Sequence, residues 1–380
     1  MRELSRRELL AGSALLLARG ALAGDGAASS TPAGSAAAVG AGTKPIVLCW
    51  NENPYGPSPA ARAAISAAIP DGCRYPDDDM DALVAALARH EKVATDHIVL
   101  GTGSGELLRA VGMQCARAQG ELITAEPTYG ELPDYARAMG ATVTPVPVDR
   151  AFGHDLHAMR AAVSSRTRAV YVCNPNNPTG TALTAAAIAR FVESLPPTVT
   201  TVVDEAYMDF TDAPDVHSVA DLVQQGKRVV VLRTFSKIHG MAGVRCGYAI
   251  AAPELGQPLA DLCMTSPNIF AMRAARASLT DRAFLSDCRR RILASRARIT
   301  RELSRLGYRY ADPQGNFVFF DTGAPLEQFT SFMRERGILV GRRFDPYARW
   351  CRITIGTEPE VSAFLTALAA WHAAPRANST

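Results

Sequence analysis

Short apolar runs alternate along the chain with segments of helical spacing. The runs fall at 98–100, 121–124, 142–146, 169–173, 199–203, 229–232 and 246–251. Several are apolar at every position rather than every second one. Such strands are buried on both faces, as in a mostly parallel sheet flanked by helices. Residues 58–69 are alanine-rich and predict a helix capped by Ser58, and 79–90 predict a second. Alternation of β and α argues an α/β architecture. Beyond about residue 265 the texture changes. A long arginine-rich helix is predicted over 281–306, with Leu285, Ile292, Ile299, Leu303 and Leu306 near helical spacing. Its arginines read as a solvated face. Strands at 316–321, 337–340 and 350–355 and a closing helix at 359–371 complete a smaller α/β lobe. No internal repeat is visible.

The 380 residues are too many for one small core, so two subdomains are expected. The predicted division is an N-terminal leader and linker (1–43), an arm that begins the small domain (44–70), a large domain (71–265) and a small C-terminal domain (266–380). The net charge of +3 gives no nucleic-acid footprint. The eight cysteines form no Cys-x-x-Cys pair, so metal and redox motifs are absent, and most sit in apolar runs as small buried residues. Ser5-Arg6-Arg7-Glu8-Leu9-Leu10, the apolar stretch 11–17 and Ala21-Leu22-Ala23 resemble a bacterial twin-arginine export signal. That predicts a periplasmic or exported protein; the alternative is a cytoplasmic chain with an N-terminal tail. The stretch is too short for a permanent membrane span.

The segment 228–248 concentrates the chemistry. Its apolar run delivers Ser236 and Lys237 into a glycine-rich loop, and Arg245 follows eight residues after the lysine. A lysine at the end of a buried strand is costly to keep charged. Its amine is poised to lose a proton and attack an aldehyde. A serine hydroxyl and an arginine beside it suit a phosphate. Together they point to pyridoxal phosphate.

Ligands of open parallel sheets bind beyond the carboxyl ends of the strands, and two more polar clusters stand at such ends. Asp204-Glu205-Ala206-Tyr207 follows 199–203. Asp204 would hold the proton on the cofactor's ring nitrogen; a helix N-cap is the plainer role. Asn174-Pro175-Asn176-Asn177-Pro178-Thr179-Gly180 follows 169–173. Asn177 and Tyr207 would serve the ring's phenolic oxygen, and Asn177 also fits turn chemistry between two prolines. Phosphate needs amides at a helix start. Ser104 and Gly105 offer them after 98–100, with Ser236 and Arg245 closing the cradle; a glycine turn is the simpler alternative. The spacing departs from Gly-x-Gly-x-x-Gly, which argues against a dinucleotide. Tyr129 would present a ring face to the pyridine, or else be a core tyrosine.

These blocks resemble a fold-type-I pyridoxal-phosphate enzyme of the class I/II aminotransferases, and most of all the histidinol-phosphate aminotransferase branch. The likeness rests on Asn51-Glu52-Asn53-Pro54-Tyr55, Pro127-Thr128-Tyr129, 174–180, 204–207, Ser236-Lys237, 242–247 and Arg352-Ile353-Thr354-Ile355-Gly356-Thr357. It implies a large domain on a mostly parallel sheet and a smaller C-terminal α/β domain. It also implies a homodimer in which Tyr55 reaches the phosphate of the neighbouring subunit's cofactor. Arg352 would hold a substrate carboxylate. Gly341 stands where this branch often carries a substrate-binding arginine, with Arg342 or Arg343 as its substitute.

The resulting expectation is transamination between an amino acid, or a histidinol-phosphate-like amine, and a 2-oxo acid such as 2-oxoglutarate. Lys237, Asp204 and Tyr129 are its catalytic residues. An aminotransferase for an aromatic amino acid, a decarboxylase on the same scaffold and a non-catalytic binding protein are the alternatives.

Overall fold

The structure, a computed structural model, describes residues 44–374; the expected export signal, the linker and the last six residues lie outside the described residues. The strands are β1 (Ile46–Leu48), β2 (Ile98–Gly101), β3 (Glu121–Glu126), β4 (Thr142–Pro147), β5 (Thr167–Cys173), β6 (Thr200–Asp204), β7 (Val229–Thr234), β8 (Gly247–Ala251), β9 (Phe317–Asp321), β10 (Ile338–Val340) and β11 (Trp350–Thr354). Seven of them form one sheet in the order β2-β8-β7-β6-β5-β3-β4. Only β8 runs against its neighbours. This is the α/β architecture expected from runs apolar at every position. Both faces are covered, because Val202, Val230 and Leu232 point to one apolar core and Val203, Val229 and Val231 to another.

Helix Ser104–Arg117 supplies Leu107, Leu108 and Val111 to the first core. Helix Asp77–Glu91 supplies Leu83 and Leu87 to the second. Its acidic first turn and basic last turn suit the helix dipole. Helix Pro59–Ala68 begins where Ser58 accepts the Ala61 amide at 3.1 Å.

Helix Ile269–Thr280 was expected with the C-terminal domain. It packs instead on the large sheet, with Ala271, Met272, Ala274 and Ala275 buried beside Phe235 and Val231. The composition change near residue 265 is therefore not a change of core. A separate C-terminal core gathers helix Arg282–Arg305, the antiparallel pair β9–β11 and helix Glu358–Ala373. The short β1 pairs in parallel with β10, which ties the arm at residue 46 to this lobe. Tyr207 and Ile238 belong to the same core. No helix among the described residues is long and apolar enough to cross a membrane.

One arginine of Arg282–Arg305 departs from the expected solvated face. Arg296 is 4% exposed. It donates to the carbonyls of Phe210 (2.9 Å) and Gly315 (3.0 Å) and pairs with Asp212 at 2.8 Å. Two buried carbonyls from different segments depend on this one cation. Arg296→Met should therefore cost about 2–4 kcal/mol in chemical denaturation, whereas Arg290→Ala on the exposed face should cost under about 0.5 kcal/mol.

Candidate active site

The site follows from strand direction. β5, β6 and β7 run parallel, with Cys173 opposite Asp204 and Asp204 opposite Leu232. The residues after each strand thus emerge side by side. The antiparallel β8 starts at this edge, so Arg245, just before it, arrives there too. A cavity of about 330 Å³ opens at the edge, and its walls include Tyr129, Asn177, Asp204, Tyr207, Lys237 and Arg352.

Lys237 Nζ lies 3.4 Å from the Trp50 carbonyl oxygen and 5.4 Å from the centre of the Tyr207 ring. Burial, and then the cation of Arg352, bring the lysine pKa from 10.5 down to about 8. The free base therefore comes within reach near neutral pH. Asp204 is 2% exposed. Its Oδ2 accepts the Tyr171 hydroxyl at 3.1 Å, and its Oδ1 accepts the Ala206 amide at 3.1 Å. Burial raises its pKa from 3.8 to about 6 against these hydrogen bonds. The alternative of a helix N-cap is not what the backbone shows: Asp204 closes a tight turn, and the next helical turn is capped by Tyr207.

The anion cradle is built by close approach. A Cβ on Gly103, whose φ is +85°, would sit 2.3 Å from Arg245 Nη2, and a Cβ on Gly247 would sit 2.4 Å from the Ser104 nitrogen. Glycine at both places lets the guanidinium and β8 press against the start of Ser104–Arg117. The first amides of that helix lack partners within it, and Ser104 and Gly105 line the cavity. Arg245 Nη1 donates to Ser236 Oγ at 3.2 Å and Nη2 to the Thr102 carbonyl at 3.3 Å. Thr234 Oγ1 donates to Ser236 Oγ at 2.9 Å. Sequence reasoning missed Thr234, although its place two residues before Ser236 on the same run was a usable signal.

On the far side, the Tyr207 hydroxyl accepts from Asn177 Nδ2 (3.2 Å) and Asn51 Nδ2 (3.1 Å). Asn177 Oδ1 in turn accepts Arg352 Nη1 at 2.5 Å, and the Cys49 carbonyl accepts Nη2 at 2.6 Å. Arg352 is buried, and its Nε has no protein partner among the described residues. Asn51 joins the arm to the site, with its backbone amide donating to Thr354 Oγ1 at 2.9 Å. Tyr129 is 38% exposed, so it is not a core tyrosine. Its loop is fixed by Thr128 Oγ1 donating to Asn176 Oδ1 at 2.7 Å.

The glycine at 341 has a steric cause. A Cβ there would lie 2.3 Å from the Arg352 carbonyl oxygen. Of its two neighbours, Arg342 lines the cavity, with its guanidinium 4.5 Å from the Phe344 ring centre. Arg343 is paired with Asp345 and Glu327. Tyr55 does not face this cavity. It lies in another groove, 5.3 Å from the Arg291 guanidinium, so within one chain it cannot touch a cofactor held by Lys237.

The remaining groups fit pyridoxal phosphate. The buried carboxylate of Asp204 has no cationic hydrogen-bond partner among the described residues and suits a protonated ring nitrogen. The Ser104–Gly105 amides, Ser236, Thr234 and Arg245 suit a phosphate dianion. The depressed amine of Lys237 suits its aldehyde.

Comparison with known proteins agrees. Residues 43–368 match the family described as aminotransferase class I and II. An aromatic amino acid aminotransferase of Rhodococcus jostii is 40% identical over 84% of this chain and 88% of its own. A histidinol-phosphate aminotransferase of Moorella thermoacetica is 36% identical over 86% of both chains. The crystal structure of histidinol-phosphate aminotransferase from Sinorhizobium meliloti, in complex with pyridoxal-5'-phosphate, superposes with a TM-score of 0.80 at 28% identity. It covers 87% of this chain and 91% of the other.

The raised pKa of Asp204 carries a stability consequence for the cofactor-free chain. The folded state holds this proton more tightly than the unfolded state. The contribution is therefore full below 3.8 and is lost as pH rises through about 6. Asp204→Asn lacks the loss, so thermal melts should show it gaining on the wild type across that window, reaching about 2–3 kcal/mol at pH 7. A difference that stays constant with pH would refute this.

Proposed function

The chain belongs to the class I and II aminotransferases, and on that premise we propose that it moves the amino group of an aromatic amino acid to a 2-oxo acid. The activity is pyridoxal-phosphate-dependent transamination. The observation that carries the aromatic reading is the composition of the substrate end. One buried guanidinium, Arg352, lies 5.1 Å from the Phe344 ring centre, and Trp50 lines the same cavity. One cation matches one carboxylate, and the rings match an aromatic side chain.

When bound, pyridoxal phosphate supplies an electron sink for the substrate Cα. Lys237 Nζ, whose pKa is brought down to about 8, would take the proton from the substrate Cα as base and give it back as acid. Asp204 holds the proton at the ring nitrogen. Tyr207 and Asn177 serve the phenolic oxygen, and Tyr129 covers a ring face. Ser104, Gly105, Thr234, Ser236 and Arg245 hold the phosphate. Arg352 orients the substrate by its carboxylate, so that the Cα–H bond meets Lys237.

A histidinol-phosphate-like donor is the second reading, favoured by Arg342 at the cavity wall. A donor screen separates the two. In the first reading aromatic amino acids react best, and Arg342→Ala changes their KM less than about threefold. In the second, histidinol phosphate reacts best, and the same variant raises its KM tenfold or more. In either case Lys237→Ala should lose at least about 10³-fold in kcat while keeping its fold. Carbon dioxide release without an acceptor would mark a decarboxylase instead.

We also propose that the working unit is a homodimer. Tyr75 and Met264 are 96% and 90% exposed and Ile69 is 64% exposed, a set of large apolar side chains that a second copy would cover. Sedimentation should show a dimer at micromolar concentration; a monomer throughout would count against it.

A further inference from the structure

At the ends of the strands that present Asp204 and Thr234 to the cavity, a pair of opposite charges lies on the other face. Successive residues of a strand point to opposite sides. Glu205 follows Asp204, and Arg233 precedes Thr234. Arg233 Nε lies 3.0 Å from Glu205 Oε2, with the glutamate side chain fully buried and the arginine 16% exposed. Glu205 Oε1 accepts the Val219 amide at 2.8 Å, and the Glu205 amide donates to the Leu232 carbonyl at 3.0 Å. Arg233 stands opposite Tyr248 on β8, whose hydroxyl donates to Glu91 Oε1 at 2.5 Å. Asp209 faces the same cluster. His239 is turned aside to Ser278 Oγ at 2.7 Å.

A buried ion pair is poor value as a source of stability, because desolvation offsets its attraction. Its better-attested use is to fix registry. Here Glu205 follows the last residue of β6 and Arg233 sits on β7, one residue from Asp204 and four from Lys237, and neither lines the cavity. The catalytic scheme above leaves both unused.

We propose that the Glu205–Arg233 pair is a positioning element of the cofactor site. It locks the end of β6 to the end of β7 and balances the charge behind Asp204, so that the Asp204 carboxylate acts on the ring nitrogen alone. The groups facing Asp204 are otherwise Tyr129, Tyr171, Cys173 and Lys237. None of these carries a negative charge at neutral pH that could stand in for Glu205. The inference rests on Asp204 holding the ring nitrogen, and the test keeps the two apart.

The chain loaded with pyridoxal phosphate is titrated between pH 5 and 10, reading the visible absorbance of the bound cofactor. Glu205→Gln keeps an acceptor for the Val219 amide but leaves Arg233, which cannot shed its proton, without its paired carboxylate, with only Glu91 and Asp209 left to offset it in part. This excess positive charge behind Asp204 should lower the apparent pKa of the absorbance by about half to one unit. The double variant Glu205→Gln/Arg233→Met removes both charges and should return towards the wild-type pKa. The KM for the amino donor should move little in either. If Glu205→Gln alone does not fold, Glu205→Gln/Arg233→Lys keeps the unpaired cation and should show the same fall. An unchanged pKa in the unpaired variant, or a double variant displaced as far as the single one, overturns the proposal. Asp204→Asn is the control: if it too leaves the absorbance pKa unmoved, the assignment of Asp204 fails instead.

Discussion

A parallel sheet cannot pair the groups that emerge at the carboxyl ends of its strands, and the site is built on that constraint. β5, β6 and β7 are held in register by backbone hydrogen bonds and by apolar side chains on both faces. Their ends therefore come out as a row, and Asn177, Asp204 and Lys237 stand next to one another although they are far apart in sequence. Burial of the strands extends to these ends. It makes the amine of Lys237 easier to deprotonate and the carboxyl of Asp204 harder to ionise. A cofactor with a protonated ring nitrogen and an aldehyde answers both groups.

The same edge is crowded from two sides. Gly103 and Gly247 allow Arg245 and β8 to close on the helix start, and Gly341 allows β10 to pass the Arg352 carbonyl. The C-terminal lobe meets the site through Arg352 and through Tyr207, whose ring belongs to the lobe's core. The arm at Asn51 is stitched to Thr354 and Tyr207. Substrate end and cofactor end are thus set by one connected set of contacts.

Much of this was legible in the sequence because it is local. Runs apolar at every position marked the buried strands, and polar blocks just after them marked the site. Boundaries differed by only a few residues. What escaped depended on distance in sequence. Arg352 is expected at the site by resemblance, but nothing local shows that Asn177 and the Cys49 carbonyl lie against it. Arg296 shares its helix with seven other arginines, and nothing in the spacing says that it alone reaches Phe210, Asp212 and Gly315. Helix Ile269–Thr280 follows a change of composition yet packs on the earlier sheet. The three-residue β1 is too short to show a period and exists because β10 lies beside it. The steric reason for Gly341 is invisible without the carbonyl it faces.

The most direct test is chemical. The chain contains four lysines, at 44, 92, 227 and 237. Borohydride reduction of the protein loaded with pyridoxal phosphate fixes the cofactor on whichever amine holds it, and peptide mapping by mass locates it. One phosphopyridoxyl group per chain is expected, on Lys237. Labelling centred on Lys44, Lys92 or Lys227, or a Lys237 peptide that stays unmodified at saturating cofactor, would contradict it.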